Sequence, residues 1–188
     1  NQLFSASVTQ EISFGALNLG LTEEEARARV ERVIEELDIS PFRDKPTHFL
    51  SGGQKKRVSI ADVLVMDPEI ILFDEPAAAL DPKHARMIDG IIDRLGERGI
   101  TVVMSTHDVE RAFIWADRVV LLDEGRIVLE GTPDEIFKNE EALARTNLEK
   151  PTVLKVFEAL CDAGILDKGL AVPHSSGELE KYIREVNQ

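Results

Sequence analysis

The sequence predicts an α/β fold built around a parallel β-sheet. Three features predict it: an apolar run at residues 70–73, a helical pattern after Asp81, and a second strand-like run at residues 101–105. A strand, a helix and a second strand in this order form a crossover unit whose strands are parallel in one sheet. The carboxyl ends of both strands then meet at one edge, where ligands bind in open sheets of this kind.

The composition limits the function classes. The 188 residues carry 22 Lys and Arg against 35 Asp and Glu, a formal net charge of -13, which argues against a general nucleic-acid binder. A nucleotide can still bind at a locally positive site. A single cysteine, Cys161, excludes an internal disulfide, indicates a reducing compartment and is interpreted as a core residue. The start at Asn1, without Met, suggests a fragment or a processed product.

The first elements are predicted from caps and periodicity. Residues 1–21 have scattered apolar positions and predict a loop with one short helical turn. Thr22 and Glu25 form a capping box that opens an amphipathic helix ending near Asp38. Two prolines then favour a short connector.

The middle of the chain alternates helices and strands. A helix from Gln54 to about residue 66 precedes the strand at 70–73, whose apolar residues throughout predict a sheet covered on both faces. Asp81 followed by proline predicts the N-terminus of the crossover helix, and Gly99 its end.

The last third of the chain predicts a helix, a hairpin and more helices. Asp108 caps the first helix, and residues 119–122 and 127–129 favour two adjacent strands. Thr132 opens another helix with a capping box. Two helices after Pro151 predict a small appendage.

Acidic residues and a histidine follow the two predicted strands. Asp74 and Glu75 come directly after the first strand, and His107 follows the second. A carboxylate at a strand end can hold Mg²⁺, so Asp74 is a candidate metal ligand. Glu75 could orient or deprotonate an attacking water, and His107 could donate a hydrogen bond to the same phosphate. These residue types predict a site that positions a phosphoryl group and neutralises its charge.

The turn before the helix at Gln54 predicts the complementary half of a phosphate site. Two glycines let the backbone approach an anion closely, Ser51 offers a hydroxyl donor, and the helix directs its positive end to the same point. Three basic residues oppose the helix dipole and hint at function: Lys55, Lys56 and Arg57.

The joint order of these motifs resembles the ATP-binding cassette (ABC) ATPases. LSGGQ followed by KKR, then IILFDE-P, ALD-P and STHD is similar to that family's signature, Walker B, D-loop and switch histidine. Each piece alone is more often an ordinary loop or surface position, so their occurrence in order carries the assignment. Further segments resemble the energy-coupling-factor and cobalt-type branch: residues 2–5, 12–15, 18–21, 130–133 and 136–137.

The resemblance implies the architecture. Residues 1–149 would form an N-terminally truncated ABC domain, a partial RecA-like parallel sheet with a helical signature subdomain at about residues 16–68. Residues 150–188 would be a small helical C-terminal appendage. The signature turn would contact the ATP γ-phosphate held by the other subunit of a head-to-tail dimer, and its residues are Ser51, Gly52, Gly53 and Gln54.

The resemblance also implies a role for each remaining motif residue. Asp74 would hold Mg²⁺, and Glu75 would be the catalytic base. Asp81 would link the two sites across the dimer, and His107 would sense the γ-phosphate.

Two departures from the family pattern stand out. Ala77, Ala78 and Ala79 occupy positions where the family usually has Thr, a small residue and Gly, which could weaken the D-loop but removes no acid. The phosphate-cradling motif GxxxxGK[ST] occurs nowhere in the sequence. Gln2 matches the second glutamine of the branch's pattern, so the magnesium-contacting glutamine is expected before Asn1.

The leading hypothesis is an ATP-hydrolysing subunit of an importer that powers uptake of a transition metal ion or a vitamin. The resemblance implies ATP and Mg²⁺ as ligands, a second ABC ATPase subunit and integral membrane subunits as partners, and a position at the cytoplasmic face of the cell membrane. Two alternatives stay open: a soluble ABC ATPase of DNA repair or translation, and a silent fragment that only binds or assembles. Without a phosphate loop, these 188 residues are expected to bind ATP weakly, and an unpaired sheet edge should favour self-association.

Overall fold

The computed structural model describes residue 3 and residues 5–186. The chain forms two compact units, Asn1–Ser105 and Thr106–Gln188. Gln2 and Phe4, which contribute to the resemblance above, lie outside the described residues. In the described part of the chain, no helix is both long enough and apolar enough to cross a membrane.

The N-terminal segment is a helix, so the prediction of a loop with one helical turn was wrong. Helix α1 spans Val8–Asn18, and the Ser7 hydroxyl caps it. The pattern was missed because the exposed apolar residues Phe14 and Leu17 blur the helical period and Gly15 lowers helix propensity. That glycine lies close to the neighbouring helix, where an added Cβ would be 3.1 Å from the carbonyl oxygen of Asp62. Residues at four-residue spacing are fully buried: Val8, Ile12 and Ala16.

Two more helices pack on α1. Helix α2 spans Glu23–Glu36 and begins with the predicted capping box, and helix α3 spans Gly52–Leu64. The connector between them contains two short 3₁₀ turns, at Ser40–Phe42 and Thr47–Phe49. The faces of α3 that meet its neighbours are apolar, with buried residues Val58, Ile60, Ala61 and Leu64.

Arg57 ties α3 to the end of α2. Its Nη1 donates to the carbonyl oxygens of Leu37 at 3.3 Å and Asp38 at 2.9 Å, and the guanidinium carbon lies 4.9 Å from the centre of the Phe42 ring. Burial lowers the pKa of the Arg57 guanidinium. The basic residue that opposes its own helix dipole therefore satisfies the carbonyl end of the preceding helix.

The predicted crossover unit is confirmed. Strand β1 spans Ile70–Asp74, helix α4 spans Pro82–Glu97, and strand β2 spans Thr101–Ser105. The strands are parallel and in register from the first pair to the last, which joins Asp74 to Ser105. All four apolar positions expected along α4 are buried: Ile88, Ile91, Ile92 and Leu95.

The faces of the two strands are more open than their apolar sequence predicts. Ile71 is buried, whereas Leu72 is 75% exposed and Val103 is 51% exposed. In the part of the chain that the structure describes, β1 and β2 form a sheet of two strands. The sheet therefore leaves apolar surface uncovered in this chain.

Up to residue 186, the second unit contains an antiparallel hairpin and five helices. Strands β3, Val119–Asp123, and β4, Arg126–Gly131, form the predicted hairpin around Glu124 and Gly125, both at positive φ. Cys161 is buried, as predicted. The helix at Glu140–Arg145 was not predicted. The helices are α5 (Val109–Trp115), α6 (Pro133–Phe137), α7 (Glu140–Arg145), α8 (Thr152–Asp162) and α9 (Ser176–Val186).

Candidate functional site

The signature turn is a complete capping box. The Ser51 hydroxyl accepts from the backbone N–H of Gln54 at 3.3 Å, and the Gln54 side chain accepts from the Ser51 backbone N–H at 3.0 Å. The box fixes the turn that opens the 13-residue helix α3. Ser51 and Gly52 are exposed, whereas Gly53 is buried. The turn therefore presents an exposed serine and glycine at the positive end of a helix.

Asp81 starts α4 and holds His84 one turn further on. One carboxylate oxygen of Asp81 accepts the backbone N–H groups of Lys83 at 3.0 Å and His84 at 3.1 Å. The other oxygen pairs with Nδ1 of the His84 ring. The side-chain hydrogen bond from His84, followed by its backbone hydrogen bond, lowers the pKa of Asp81. Asp81 is thus an ionised helix cap with a second, side-chain partner.

The His84 ring also covers the signature turn. A Cβ built on Gly53 would lie 2.5 Å from Cδ2 of His84 and 3.0 Å from its Cγ. Real Cβ atoms do not come this close, so only glycine fits beneath the ring in its present position. The signature turn and the cap of α4 therefore meet at one imidazole, a contact that was not predicted from the sequence. Its position three residues after the cap was the available signal.

Asp74 lies at the end of β1 beside Ser105, which was predicted as the end of the second strand and the start of the STHD motif but given no role of its own. The Ser105 hydroxyl donates to Oδ1 of Asp74 at 2.5 Å. The parallel register pairs these two residues, each the last of its strand. The available signal was that both residues stand at the polar end of an apolar run, Asp74 after residues 70–73 and Ser105 at the end of residues 101–105. Ser105 therefore orients the candidate metal ligand.

Glu75 begins a strained turn directly after β1. Its φ is 45°, in the left-handed region that residues other than glycine seldom adopt, and Ala79 follows at φ 60°. The backbone N–H of Glu75 donates to the Ser105 carbonyl at 3.1 Å, and its carbonyl accepts from Nζ of Lys56 at 3.4 Å. Such strain concentrates at functional sites, where neighbouring structure holds the unusual backbone in place. Lys56 connects the first turns of α3 to this backbone.

His107 belongs to the second unit, two residues after the end of β2. It is exposed and directly precedes Asp108, which caps helix α5 through the backbone N–H of Arg111 at 3.1 Å. The local turn is therefore ordered by a cap, as the sequence predicts. The approach of His107 to Asp74 and Glu75 stays a prediction.

The acids of the first unit suit a magnesium ion that a nucleotide brings with it. Among the described residues, no three His, Cys, Asp or Glu side chains cluster as a metal site of their own. Mg²⁺ in nucleotide sites is typically held by one or two carboxylates together with phosphate oxygens and water. Asp74, exposed and oriented by Ser105, fits that limited role.

Comparison with known proteins gives one consistent family. The family model for ABC transporters matches residues 2–78. The chain is 43% identical over 187 residues to the energy-coupling factor transporter ATP-binding protein EcfA of Methanocaldococcus jannaschii, covering 98% of this chain and 67% of that protein. It is 48% identical over 154 residues to the cobalt import ATP-binding protein CbiO of Rhodobacter capsulatus, covering 82% of this chain and 55% of that one.

Solved structures show the same fold. The chain superimposes on cbiO1 from Clostridium perfringens, part of the ABC transporter complex cbiONQ, with a TM-score of 0.67 and 45% identity, covering 84% of this chain and 63% of that one. An ATP-binding cassette solved as a dimer with ADP and phosphate matches with a TM-score of 0.61 and 30% identity, over 70% of this chain and 59% of that one. The chain spans between 55% and 67% of the length of the two sequence relatives.

Proposed function

Because the chain belongs to the ABC transporter ATP-binding proteins of the energy-coupling-factor and cobalt-import type, we propose that it is the ATP-hydrolysing subunit of an importer. The observation that carries the proposal is the end of β1, where Asp74 is oriented by Ser105 and Glu75 follows on a strained turn. These are the positions that the family resemblance assigns to the magnesium ligand and the catalytic base. The Ser105 hydroxyl and carbonyl and the Lys56 ammonium hold this strand end in place, which supports a functional interpretation.

The signature turn would act on a nucleotide held by a second ATPase subunit. Ser51 offers a hydroxyl, and the exposed turn offers backbone N–H groups at the start of a 13-residue helix. These donors and the helix dipole favour the negative charge of a γ-phosphate. Gln54 stabilises the turn through the capping box, so its part is to hold the donors in place.

The strand end would act on the nucleotide of its own subunit. Mg²⁺, when bound, neutralises phosphate charge, and Asp74 would be its protein ligand. Glu75 would orient the attacking water and accept its proton. His107 would donate a hydrogen bond to the γ-phosphate, and Asp81 would communicate between the two sites of the dimer.

The partners follow from the family. We propose a head-to-tail dimer with a second ABC ATPase subunit, placed on integral membrane transport subunits at the cytoplasmic face of the cell membrane. One relative is named for cobalt import, which supports a transition metal ion as the cargo, and the family resemblance leaves a vitamin as the alternative. The membrane subunits would select it.

The proposal is tested with Glu75→Gln in the full-length ATPase purified with its partner subunits. Loss of a general base is expected to lower kcat at least about 100-fold, while ATP binding, measured by titration calorimetry, stays within about twofold. Glu124→Gln is the matched control. Like Glu75, Glu124 is a glutamate at positive φ directly after a strand; Glu75 is half-buried and Glu124 is exposed. Hydrolysis that persists in Glu75→Gln would contradict the role of Glu75.

A further inference from the structure

His84 connects two motifs that lie 28 residues apart in the chain, Gly53 and Asp81. Its Nδ1 pairs with the Asp81 carboxylate, and the opposite edge of the ring lies on Gly53. The ring is half-buried in this position. One side chain therefore contacts both the signature turn and the residue that starts α4.

The cap of α4 does not require this imidazole. Asp81 already caps the helix through two backbone N–H groups, at 3.0 Å and 3.1 Å. Most residue types at position 84 would supply the same backbone N–H. The contact of the ring with Asp81 and Gly53 is thus additional to what the helix needs for its N-terminus.

The proton of the His84–Asp81 pair lies on the histidine. Hydrogen bonds lower the pKa of Asp81, so its carboxylate is ionised near neutral pH and can only accept. Nδ1 of His84 therefore carries a proton in both the neutral and the charged ring. This fixes the tautomer and, with it, the orientation of the ring.

The contact with Gly53 couples the backbone of the signature turn to that orientation. A methyl group on Gly53 would displace the ring, and the ring cannot move away without weakening its bond to Asp81. The neighbouring Gly52 differs, since the nearest atom to a Cβ there is Cδ2 of Leu80 at 3.9 Å, an ordinary contact. The coupling is therefore specific to one of the two glycines.

We propose that His84 is a positioning residue that joins Asp81 to the signature turn at Gly53, so that both meet the partner subunit's nucleotide as one rigid unit. The expected effect of His84 on ATP hydrolysis rests on the proposed function. The contact of His84 with Asp81 and Gly53 does not depend on that function and can be measured separately. His84 acts through its neighbours, since neither the proposed chemistry nor phosphate binding uses it directly.

The contact is tested by long-range ¹H–¹⁵N spectra of the histidine rings in these 188 residues, which contain four histidines. The wild-type His84 spectrum is expected to show a protonated Nδ1. Gly53→Ala should shift that spectrum toward the Nε2-protonated form common in free histidine, whereas Gly52→Ala should leave it unchanged. An unchanged His84 spectrum in Gly53→Ala would overturn the coupling, whatever the ATPase activity.

The consequence for hydrolysis is tested in the full-length ATPase with its partners. His84→Ala should lower kcat about tenfold through misalignment, with KM changed less than about twofold because the phosphate donors remain. His84→Asn, whose amide nitrogen can replace Nδ1, should restore most of the loss. His48→Ala, at an exposed histidine in the connector, is the control and should retain wild-type rates.

A double variant separates positioning from a general loss of structure. Gly53→Ala should cost less in the His84→Ala background than in wild type, because the ring it would displace is gone. Additive effects, or full activity in His84→Ala, would overturn the proposal. If Glu75→Gln retains hydrolysis while the ring spectra behave as expected, the proposed function fails and the His84 contact stands.

Discussion

The signature turn and the end of β1 differ in how much of their geometry nearby residues supply. The signature turn is closed by its own capping box, covered at Gly53 by His84, and carried on a helix that packs on α1 and α2. Within residues 5–186, strand β1 pairs with one strand, and its Leu72 is 75% exposed. Local hydrogen bonds define the first region, whereas strain and open apolar surface mark the second.

This difference separates two kinds of substitution. Changes around the signature turn break identifiable hydrogen bonds, so their effects on stability and on function can be divided with matched variants. Changes near the end of β1 act on backbone strain, which neighbouring structure holds in place. The following variants test this division, in order of expected effect on the free energy of unfolding.

The buried carboxylate of Asp62 in α3 is expected to lower the stability of the folded protein at neutral pH. Its Oδ1 is buried without a hydrogen-bond partner in the described structure. Burial, with a smaller contribution from the charge of Glu11, raises the pKa of Asp62 to about 7. The folded state therefore binds a proton more tightly than the unfolded state, so stability falls as pH rises from about 4 to about 7.

Asp62→Asn should remove this pH-dependent penalty. A change of one unit in the pKa corresponds to about 1.4 kcal/mol in the free energy of unfolding. Because Asp62 is only partly buried, solvent screening lowers the expected effect, and the variant should be more stable by about 2 kcal/mol at pH 8. At about pH 4, close to the ordinary pKa of an aspartate, most of this penalty is absent and the gain should be small. Urea unfolding at the two pH values measures both. Asp67→Asn is the control, because the exposed Asp67 pairs only weakly with Arg32, at 3.8 Å, and should change stability little. Equal gains at both pH values would contradict the assignment.

Ser51→Ala separates the cap from the phosphate donor. Thr22 offers the matched variant, since both hydroxyls accept their capping N–H at 3.3 Å. Each substitution should lower the free energy of unfolding by about 1 kcal/mol. Only Ser51→Ala should also lower ATP hydrolysis of the full-length enzyme, about tenfold, because only that hydroxyl would reach a phosphate. Equal ATPase rates in the two variants would restrict Ser51 to a structural role.

The elements were predictable where a local signal was strong. The capping box at Thr22, the proline after Asp81 and the apolar stripe of α4 each determine their element within a few residues. Helix α1 was missed because Gly15 lowers helix propensity and exposed apolar residues blur the helical period. The glycine is explained by its close approach to the backbone at Asp62, which is distant in sequence. Close packing between helices leaves no signal in the local sequence.

The candidate site was predictable in its residues but not in its contacts. Motif order identified Asp74, Glu75 and Asp81, and the structure finds them at the expected strand end and helix start. The roles of Ser105 and His84 needed the register and the approach of α3 to α4, which depend on the tertiary fold. The family resemblance identifies the motif residues, whereas the side chains that orient them are seen only in the folded structure.

Ala79→Gly should give the smallest effect and tests the strained side directly. Ala79 has φ 60°, which costs a residue with a Cβ about 1 kcal/mol or more. Glycine removes that cost but gives the unfolded chain more freedom, so the expected net gain is about 0.5 kcal/mol. Ala78→Gly is the control with opposite sign, since Ala78 is not among the residues at positive φ. It should lose about 0.5 kcal/mol or more. If both variants lose stability in urea unfolding, strain at Ala79 does not account for the glycine that the family usually has there.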